Sequence, residues 1–167
     1  MTRKLFVVLS VVAFAGVSVV AQSKPSIQGA WRVAERTTTG PEGAANKNPQ
    51  PSLWIFTAKH YSMMQDNAAK PRPMLALPPA GNLTEPQMVA LYQDWAPVQA
   101  NSGTYEISGS TLMLRPVVAK STAVAASKTG TSYQLKMDGN SIVLTSVTGP
   151  TGQKVPNPTT IRLVRVE

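Results

Sequence analysis

Glu35 is the residue whose type and spacing most directly suggest chemistry. It belongs to the segment GAWRVAERTT, residues 29–38, where it alternates with Trp31 and Val33. Because alternate side chains of a β-strand face the same side, an inward Trp31 predicts an inward Glu35. A carboxylate inside a core is costly unless paired or protonated, so it could pair with Arg115, bind the polar end of a ligand or act as a general base. A β-bulge after Val33 would instead turn it outward, or it could lie at a hydrated rim.

Other catalytic signals are weak. The chain has no cysteine and one histidine, His60, so thiol catalysis and thiolate metal sites are excluded. A metal site would need carboxylates for nearly all its ligands, and we therefore expect no metal and no cofactor. No Gly-x-Ser-x-Gly motif indicates a nucleophile elbow. A Ser-His-Asp triad through His60 is arithmetically possible, but a single histidine beside Tyr61 is more often an ordinary polar residue. We assign no catalytic residue.

Bulky side chains at a spacing of two residues indicate an apolar interior that could hold a ligand. Each set shares one face of a segment with strand-like composition. The predicted ligand-binding residues are Glu35, Trp54, Phe56, Tyr105, Ile107, Tyr133 and Leu135. An apolar cavity with a few polar groups is typical of a small-molecule site. The same side chains could equally fill the interior of a small barrel.

The segments that carry these residues are short, and most end at turn-forming residues. SLWIFT and KHYSMMQD are separated by Ala58 and predict a hairpin, as do GTYEIS and TLMLRPVV around Gly109. TSYQLKM and SIVLTSVT flank Asp138-Gly139-Asn140, and an Asp-Gly pair is a strong hairpin signal. TTIRLVRVE completes the series. Such a series of strands predicts an all-β antiparallel sandwich or barrel.

Two segments interrupt the strands. Residues 70–86 contain five prolines, which exclude a central strand. A helix is predicted over 85–95, because Thr84 and Gln87 have capping-box spacing and Met88, Leu91, Tyr92 and Trp95 share a helical face. This face either packs against the barrel wall, burying Met88, Leu91 and Trp95, or forms a lid over the barrel mouth. Residues 118–130 are compatible with an edge strand, a short helix or a loop.

The first residues resemble a targeting segment. Arg3 and Lys4 precede an uncharged apolar run, Leu5–Val20, which is followed by small residues. This pattern predicts a cleaved signal peptide over 1–21 and one mature domain over 22–167. A membrane anchor is the alternative, but sixteen helical residues span only about 24 Å, short of the hydrocarbon core. We expect a secreted or periplasmic protein with no stable membrane insertion after cleavage.

Charge argues against a nucleic-acid-binding protein. The formal net charge is +8 at pH 7, but no run of five or more like charges occurs. Nucleic-acid recognition usually requires a clustered basic face. Scattered basic residues favour solubility and weak attraction to anionic surfaces.

Taken together, these segments resemble the bacterial lipocalin-like domain family, within the wider calycin barrels. The resemblance rests on Gly29-Ala30-Trp31, IFTAKHYSMM, NSGTYEISGSTL, YQLKMDGNSIVLT and the terminal LVRVE. It implies an antiparallel lipocalin-like barrel of about eight strands with an internal cavity and one inserted short helix. It also implies barrel closure by Gly29, Trp31 and an arginine of the last strand that covers the indole. Arg165 matches that arginine, with Arg162 as the fallback. The chain differs from animal lipocalins in lacking cysteines and in its proline-rich insertion.

Three functions are compatible with the sequence, and each has a distinguishing observation. The first is a binding protein for a small apolar or amphipathic molecule, which requires an open cavity. The second is a structural or interaction barrel with a filled core, which would form a stable complex but bind no ligand saturably. The third is a barrel enzyme of isomerase or hydratase type, which requires a paired acid and base with perturbed pKa values. The sequence identifies neither the ligand nor the oligomeric state.

Overall fold

A computed structural model describes residues 26–72 and 81–166. The predicted signal peptide, residues 1–21, and part of the proline-rich segment lie outside the described residues. The elements are β1 (Gly29–Thr38), β2 (Ala45–Asn46), β3 (Ser52–Phe56), β4 (His60–Asp66), α1 (Glu85–Trp95), β5 (Val98–Ser108), β6 (Thr111–Ala119), α2 (Thr122–Ala125), β7 (Thr131–Asp138), β8 (Ser141–Thr148) and β9 (Thr159–Arg165).

Eight of these strands form a closed antiparallel barrel. Strands β3 to β9 pair in chain order, and β1 closes the barrel by pairing with both β3 and β9. The two-residue strand β2 adds to the end of β1 outside this ring. The predicted all-β antiparallel barrel with an inserted helix is therefore confirmed, and its architecture is calycin-like.

Backbone conformation at two glycines fits the sequence signals. Gly29, where β1 begins, has a φ of +129°, and Gly139, in the turn between β7 and β8, has a φ of +57°. Side chains disfavour positive φ, whereas glycine adopts it at little cost. The predicted hairpins of β3 with β4, β5 with β6 and β7 with β8 are all present.

One end of the barrel is filled by large side chains. Trp31 and Trp54 are opposite each other across β1 and β3, and both are completely buried. Phe56 lies next to Trp54, with ring centroids 6.2 Å apart, and meets the ring of Tyr105 edge-on at 5.3 Å. Aliphatic residues of β6, β8 and β9 complete this core. We call this filled end the floor, and the opposite end the mouth.

A bulge in β1 decides which side chains enter the barrel. Val33 is opposite Leu163, but Glu35 is opposite Arg162, so Ala34 is the extra residue. Leu163 is buried and Arg162 is exposed, which places Glu35 on the outer face. Its neighbour Arg36 is opposite the buried Ile161 and faces inward. Of the two orientations of Glu35 that the sequence left open, the structure shows the outward one, which a bulge after Val33 produces.

Helix α1 has the predicted bounds but not the predicted packing. The Thr84 backbone N–H donates to Gln87 Oε1 at 2.9 Å, which is the expected capping interaction. No residue of α1 is buried, and the side chains of Met88 and Trp95 are 51% and 42% exposed. The prediction that Met88, Leu91 and Trp95 are buried against the barrel was wrong. The amphipathic pattern was sufficient for a helix but did not determine how closely it would approach the barrel.

Candidate functional site

A cavity of about 630 Å³ opens at the mouth of the barrel. Its inner wall is formed by residues of four consecutive strands, and its rim by α1, α2 and the segments beside them. The inner residues include Tyr61, Met63, Val98, Asn101, Leu114, Pro116, Thr131 and Tyr133, and the rim residues include Tyr92, Ala96, Lys120, Ser121, Thr122, Val124 and Pro150. This volume is within the range that small-molecule sites occupy.

The inner wall combines apolar side chains with a few polar groups. Met63 and Leu114 are buried. The Tyr61 hydroxyl donates to Asn101 Oδ1 at 2.6 Å. Burial raises the pKa of Tyr61, so this hydroxyl keeps its proton. The wall thus combines apolar surface with polar groups, of which Tyr61 and Asn101 form one fixed pair.

Tyr133 adds a second hydroxyl to the cavity. It lies on β7 opposite Leu112, whose side chain is buried in the barrel. Burial raises its pKa to about 12, and the positive charge of Arg36 partly opposes this rise. Tyr133 is therefore neutral at physiological pH and is a potential hydrogen-bond donor toward a ligand.

Arg36 brings a cation into the barrel. Its Nε atom is buried and has no hydrogen-bond partner among residues 26–72 and 81–166. The three ion pairs found in that part of the chain involve other basic residues. Burial lowers the pKa of Arg36, and interaction with Tyr133 partly offsets this. A buried donor that has no acceptor is energetically unfavourable.

A polar network connects the floor to the mouth beside the cavity. The Trp54 Nε1–H donates to Gln65 Oε1 at 3.1 Å, and Gln65 Nε2 donates to Gln99 Oε1 at 2.8 Å. Gln65 is buried, and Gln99 lines the cavity. These bonds satisfy the buried polar groups and fix the relative positions of β3, β4 and β5.

Two basic residues hold α1 at the rim. Lys120 Nζ donates to the carbonyl oxygens of Trp95, Ala96 and Val98, at the end of the helix. Arg72 donates to Asp66 at 2.6 Å. Its NH1 atom also lies 3.5 Å from an Asp94 carboxylate oxygen, and its guanidinium carbon is 5.1 Å from the centroid of the Trp95 ring. These contacts position a helix that buries no side chain of its own.

At the floor of the barrel, Arg165 covers the ring of Trp31. Its guanidinium carbon lies 4.2 Å from the centroid of the Trp31 ring, the arrangement that the family resemblance implied. Arg165 NH1 donates to the Gln28 carbonyl at 2.7 Å, and the Trp31 Nε1–H donates to the Ile27 carbonyl at 2.8 Å. This set of contacts is structural and lies at the opposite end from the cavity.

Of the predicted ligand-binding residues, only Tyr133 is among those that line the cavity. Trp54 and Phe56 belong to the buried core, and Tyr105 and Leu135 pack against it. Ile107 is 41% exposed near the end of β5. Their spacing along the strands correctly predicted that most of them face the barrel interior. These residues fill the floor, however, and do not border the cavity.

The residues proposed for acid–base chemistry are dispersed. His60 is exposed where β4 begins, and Glu35 lies on the outer face of β1. Arg115 was considered as a partner for Glu35. Its NH2 atom instead lies 3.8 Å from Glu106 Oε2, and both of these side chains are exposed. No cluster of three or more potential metal ligands occurs within residues 26–72 and 81–166.

The cavity residues that sequence reasoning missed include Tyr61, Asn101 and Lys120. Tyr61 alternates with Met63 and Gln65 and could have been found from the strand period. Asn101 and Lys120 reach the cavity only because folding brings their segments beside β4 and β5, where they bond to Tyr61 and to the Val98 carbonyl.

Comparisons with known proteins add no assignment. No protein-family model matches the chain, and no curated protein matches it significantly. Among the residues that the structure describes, no helix is long and apolar enough to cross a membrane.

Proposed function

We propose that this chain is an exported, lipocalin-like protein that binds a small apolar or amphipathic molecule in its barrel. The observation that carries the proposal is the cavity of about 630 Å³ at the mouth. Cavities of this size with mostly apolar walls and a few polar groups are typical ligand sites.

The distribution of side chains supports a binding role over that of a filled structural barrel. Large residues are concentrated at the floor, where Trp31, Trp54 and Phe56 are buried. Toward the mouth, the smaller Leu114 and Thr131 border the open space. A ligand in this space would gain packing contacts with these side chains.

A cavity-filling variant tests ligand binding. The neutral fluorescent probe N-phenyl-1-naphthylamine should bind the full chain saturably and emit more strongly in the apolar site. Thr131→Trp should occlude the cavity and weaken probe binding at least tenfold, because Thr131 lines it from β7. Lys136→Trp is the matched control, since this residue is exposed on the same strand.

Two results would reject the binding role. One is failure of the probe to bind saturably, and the other is equal binding by Thr131→Trp and Lys136→Trp. Circular dichroism should first show that both variants retain the barrel. A filled interaction barrel would then become the preferred function, and a search for a stable protein complex would follow.

Export is supported by the first 21 residues, which combine Arg3 and Lys4 with an apolar run and small residues. N-terminal sequencing of the protein recovered from the periplasm or medium should begin at Gln22 or Lys24. An intact Met1 on a membrane-embedded protein would contradict both cleavage and export.

A further inference from the structure

A hydrogen-bond chain with one fixed direction runs from the floor to the cavity. It begins at the indole Nε1–H of Trp54, a group that can only donate, and this group donates to Gln65 Oε1. Gln65 Nε2 then donates to Gln99 Oε1. Turning over either amide would place two N–H groups face to face. The indole therefore sets the orientation of both glutamines.

This chain ends in a donor at the cavity. Gln99 lines the cavity and its side chain is exposed there. Its oxygen is already engaged by Gln65, and no hydrogen bond of its Nε2 atom is found within residues 26–72 and 81–166. The polar atom that Gln99 leaves for a molecule in the cavity is therefore the amide nitrogen.

Asn101 offers a second donor of the same kind. It lies two residues after Gln99 on β5, and alternate residues of a strand share one face. Asn101 Oδ1 accepts the hydrogen bond of the Tyr61 hydroxyl at 2.6 Å, which leaves the Asn101 amide nitrogen toward the open space. Two neutral donors thus lie near each other on the wall of the cavity.

The charge of the lining is directed elsewhere. Among the lining residues that the structure describes, Lys120 is the one charged side chain. Its ammonium group donates to the carbonyl oxygens of Trp95, Ala96 and Val98, and an ammonium has three donors. The lining therefore leaves neutral donors for a ligand, which favours a neutral acceptor over an ion.

We propose that the barrel ligand is a neutral apolar carbonyl compound, whose oxygen accepts hydrogen bonds from the amide nitrogens of Gln99 and Asn101. This inference rests on the proposed binding function and specifies its ligand class. A carbonyl oxygen has two lone pairs and no donor, so it matches two converging N–H groups. Trp54 is a positioning residue in this site, because it acts on the ligand through Gln65 and Gln99.

A pair of probes that differ in one atom tests the acceptor requirement. In 2-isopropenylnaphthalene a CH2 group replaces the carbonyl oxygen of 2-acetylnaphthalene, and the rings and shape are the same. Displacement of N-phenyl-1-naphthylamine from the full chain gives both affinities. The measured quantity is the ratio of ketone to alkene affinity, compared between variants, because the different hydration of the two probes is the same for each variant.

Gln99→Glu should lower this ratio about tenfold, which corresponds to the loss of one hydrogen bond at a polar group. The glutamate keeps the shape of the side chain and an acceptor for Gln65 Nε2, but it replaces the free donor with an acceptor. Gln93→Glu is the matched control, because Gln93 is exposed on α1 and the charge change is identical. It should retain the ratio of the unmodified chain.

Trp54→Phe tests the direction of the chain. Without the indole N–H both amides can turn over, so Gln99 can present its oxygen, and the ratio should fall by a smaller factor than in Gln99→Glu. A merely structural role of Trp54 would change stability and leave the ratio unaltered. Circular dichroism should show that each variant retains the barrel, and Gln99→Glu decides the proposal if Trp54→Phe does not fold.

The outcomes separate the two proposals. A ratio that is unchanged in Gln99→Glu, or that falls equally in Gln93→Glu, would overturn the carbonyl inference while leaving the binding function intact. The same holds if N-phenyl-1-naphthylamine binds saturably but the ketone does not displace it. Failure of N-phenyl-1-naphthylamine itself to bind would count against the binding function.

Discussion

The guanidinium carbon of Arg165 lies 4.2 Å from the centroid of the Trp31 indole. Trp31 begins the inward-facing series of β1, and Arg165 is its directly paired residue on β9. The contact therefore lies across the seam that closes the barrel. It combines a cation–π interaction with the bond from Arg165 to the Gln28 carbonyl.

The first prediction concerns this seam. Trp31→Ala should destabilise the barrel by about 3–5 kcal/mol, because it removes a completely buried aromatic side chain. Arg165→Ala should cost less, and the two changes should be non-additive by about 1–2 kcal/mol. Urea unfolding of both single variants and the double variant measures this coupling. Arg162→Ala, on the exposed face of β9, is the control; a coupling near zero would refute the seam contact.

The second prediction concerns the cost of the interior cation. Arg36→Met should stabilise the ligand-free protein by about 1 kcal/mol or more, because it removes a buried donor that has no partner. Urea midpoints compared with those of Arg32→Met separate this effect from the change in net charge. A destabilised Arg36→Met protein would show that the guanidinium has a structural role.

The third prediction concerns the attachment of α1. Arg72→Ala should loosen the helix and cost about 1–3 kcal/mol, because it removes a charge-assisted hydrogen bond to the largely buried Asp66 carboxylate. Trp31 and Trp54 are completely buried, so iodide quenching of tryptophan fluorescence reports mainly on Trp95. Quenching should increase in Arg72→Ala but not in Lys70→Ala, an exposed neighbour. Unchanged quenching would contradict a positioning role for Arg72.

The fourth prediction concerns the end of the same helix. Lys120→Met should weaken the last turn of α1, because its ammonium group caps carbonyl oxygens there. Amide hydrogen exchange should become faster in residues 92–96 while the barrel strands remain protected. Lys128→Met, an exposed lysine beyond α2, is the control. Equal exchange in both variants would argue against the cap.

The fifth prediction is a loss of stability at high pH. Burial raises the pKa of Tyr133 to about 12, whereas an unfolded tyrosine ionises near 10. Between these values the unfolded chain releases a proton that the folded chain retains, so the free energy of unfolding should fall as pH rises from about 10 through about 12. The stabilisation that comes from keeping Tyr133 protonated in the folded chain is fully present below about pH 10.

Urea unfolding from pH 9 to 12 measures the trend, and absorbance at 295 nm follows tyrosine ionisation. Tyr133→Phe should show a shallower decline, since phenylalanine cannot ionise. An identical decline in the variant would place the effect elsewhere, including Tyr61, whose pKa is also raised by burial.

The sequence by itself determined the all-β class, the three hairpins and the bounds of α1. These features follow from local rules, namely the strand period, turn-forming glycines such as Gly139 and the capping pair Thr84 and Gln87. These rules predicted the fold because each rule acts within a few residues of chain.

Only the tertiary structure decided which interior residues border the cavity and which fill the floor. Trp54 and Tyr133 both have the spacing of inward-facing residues, yet Trp54 lies in the core and Tyr133 lines the open space. The difference depends on their positions along the barrel axis, which strand pairing sets. The bulge at Ala34 arises from the pairing of β1 with β9. Glu35 and Arg36 exchange faces for that reason, whereas the sequence left both orientations of Glu35 open.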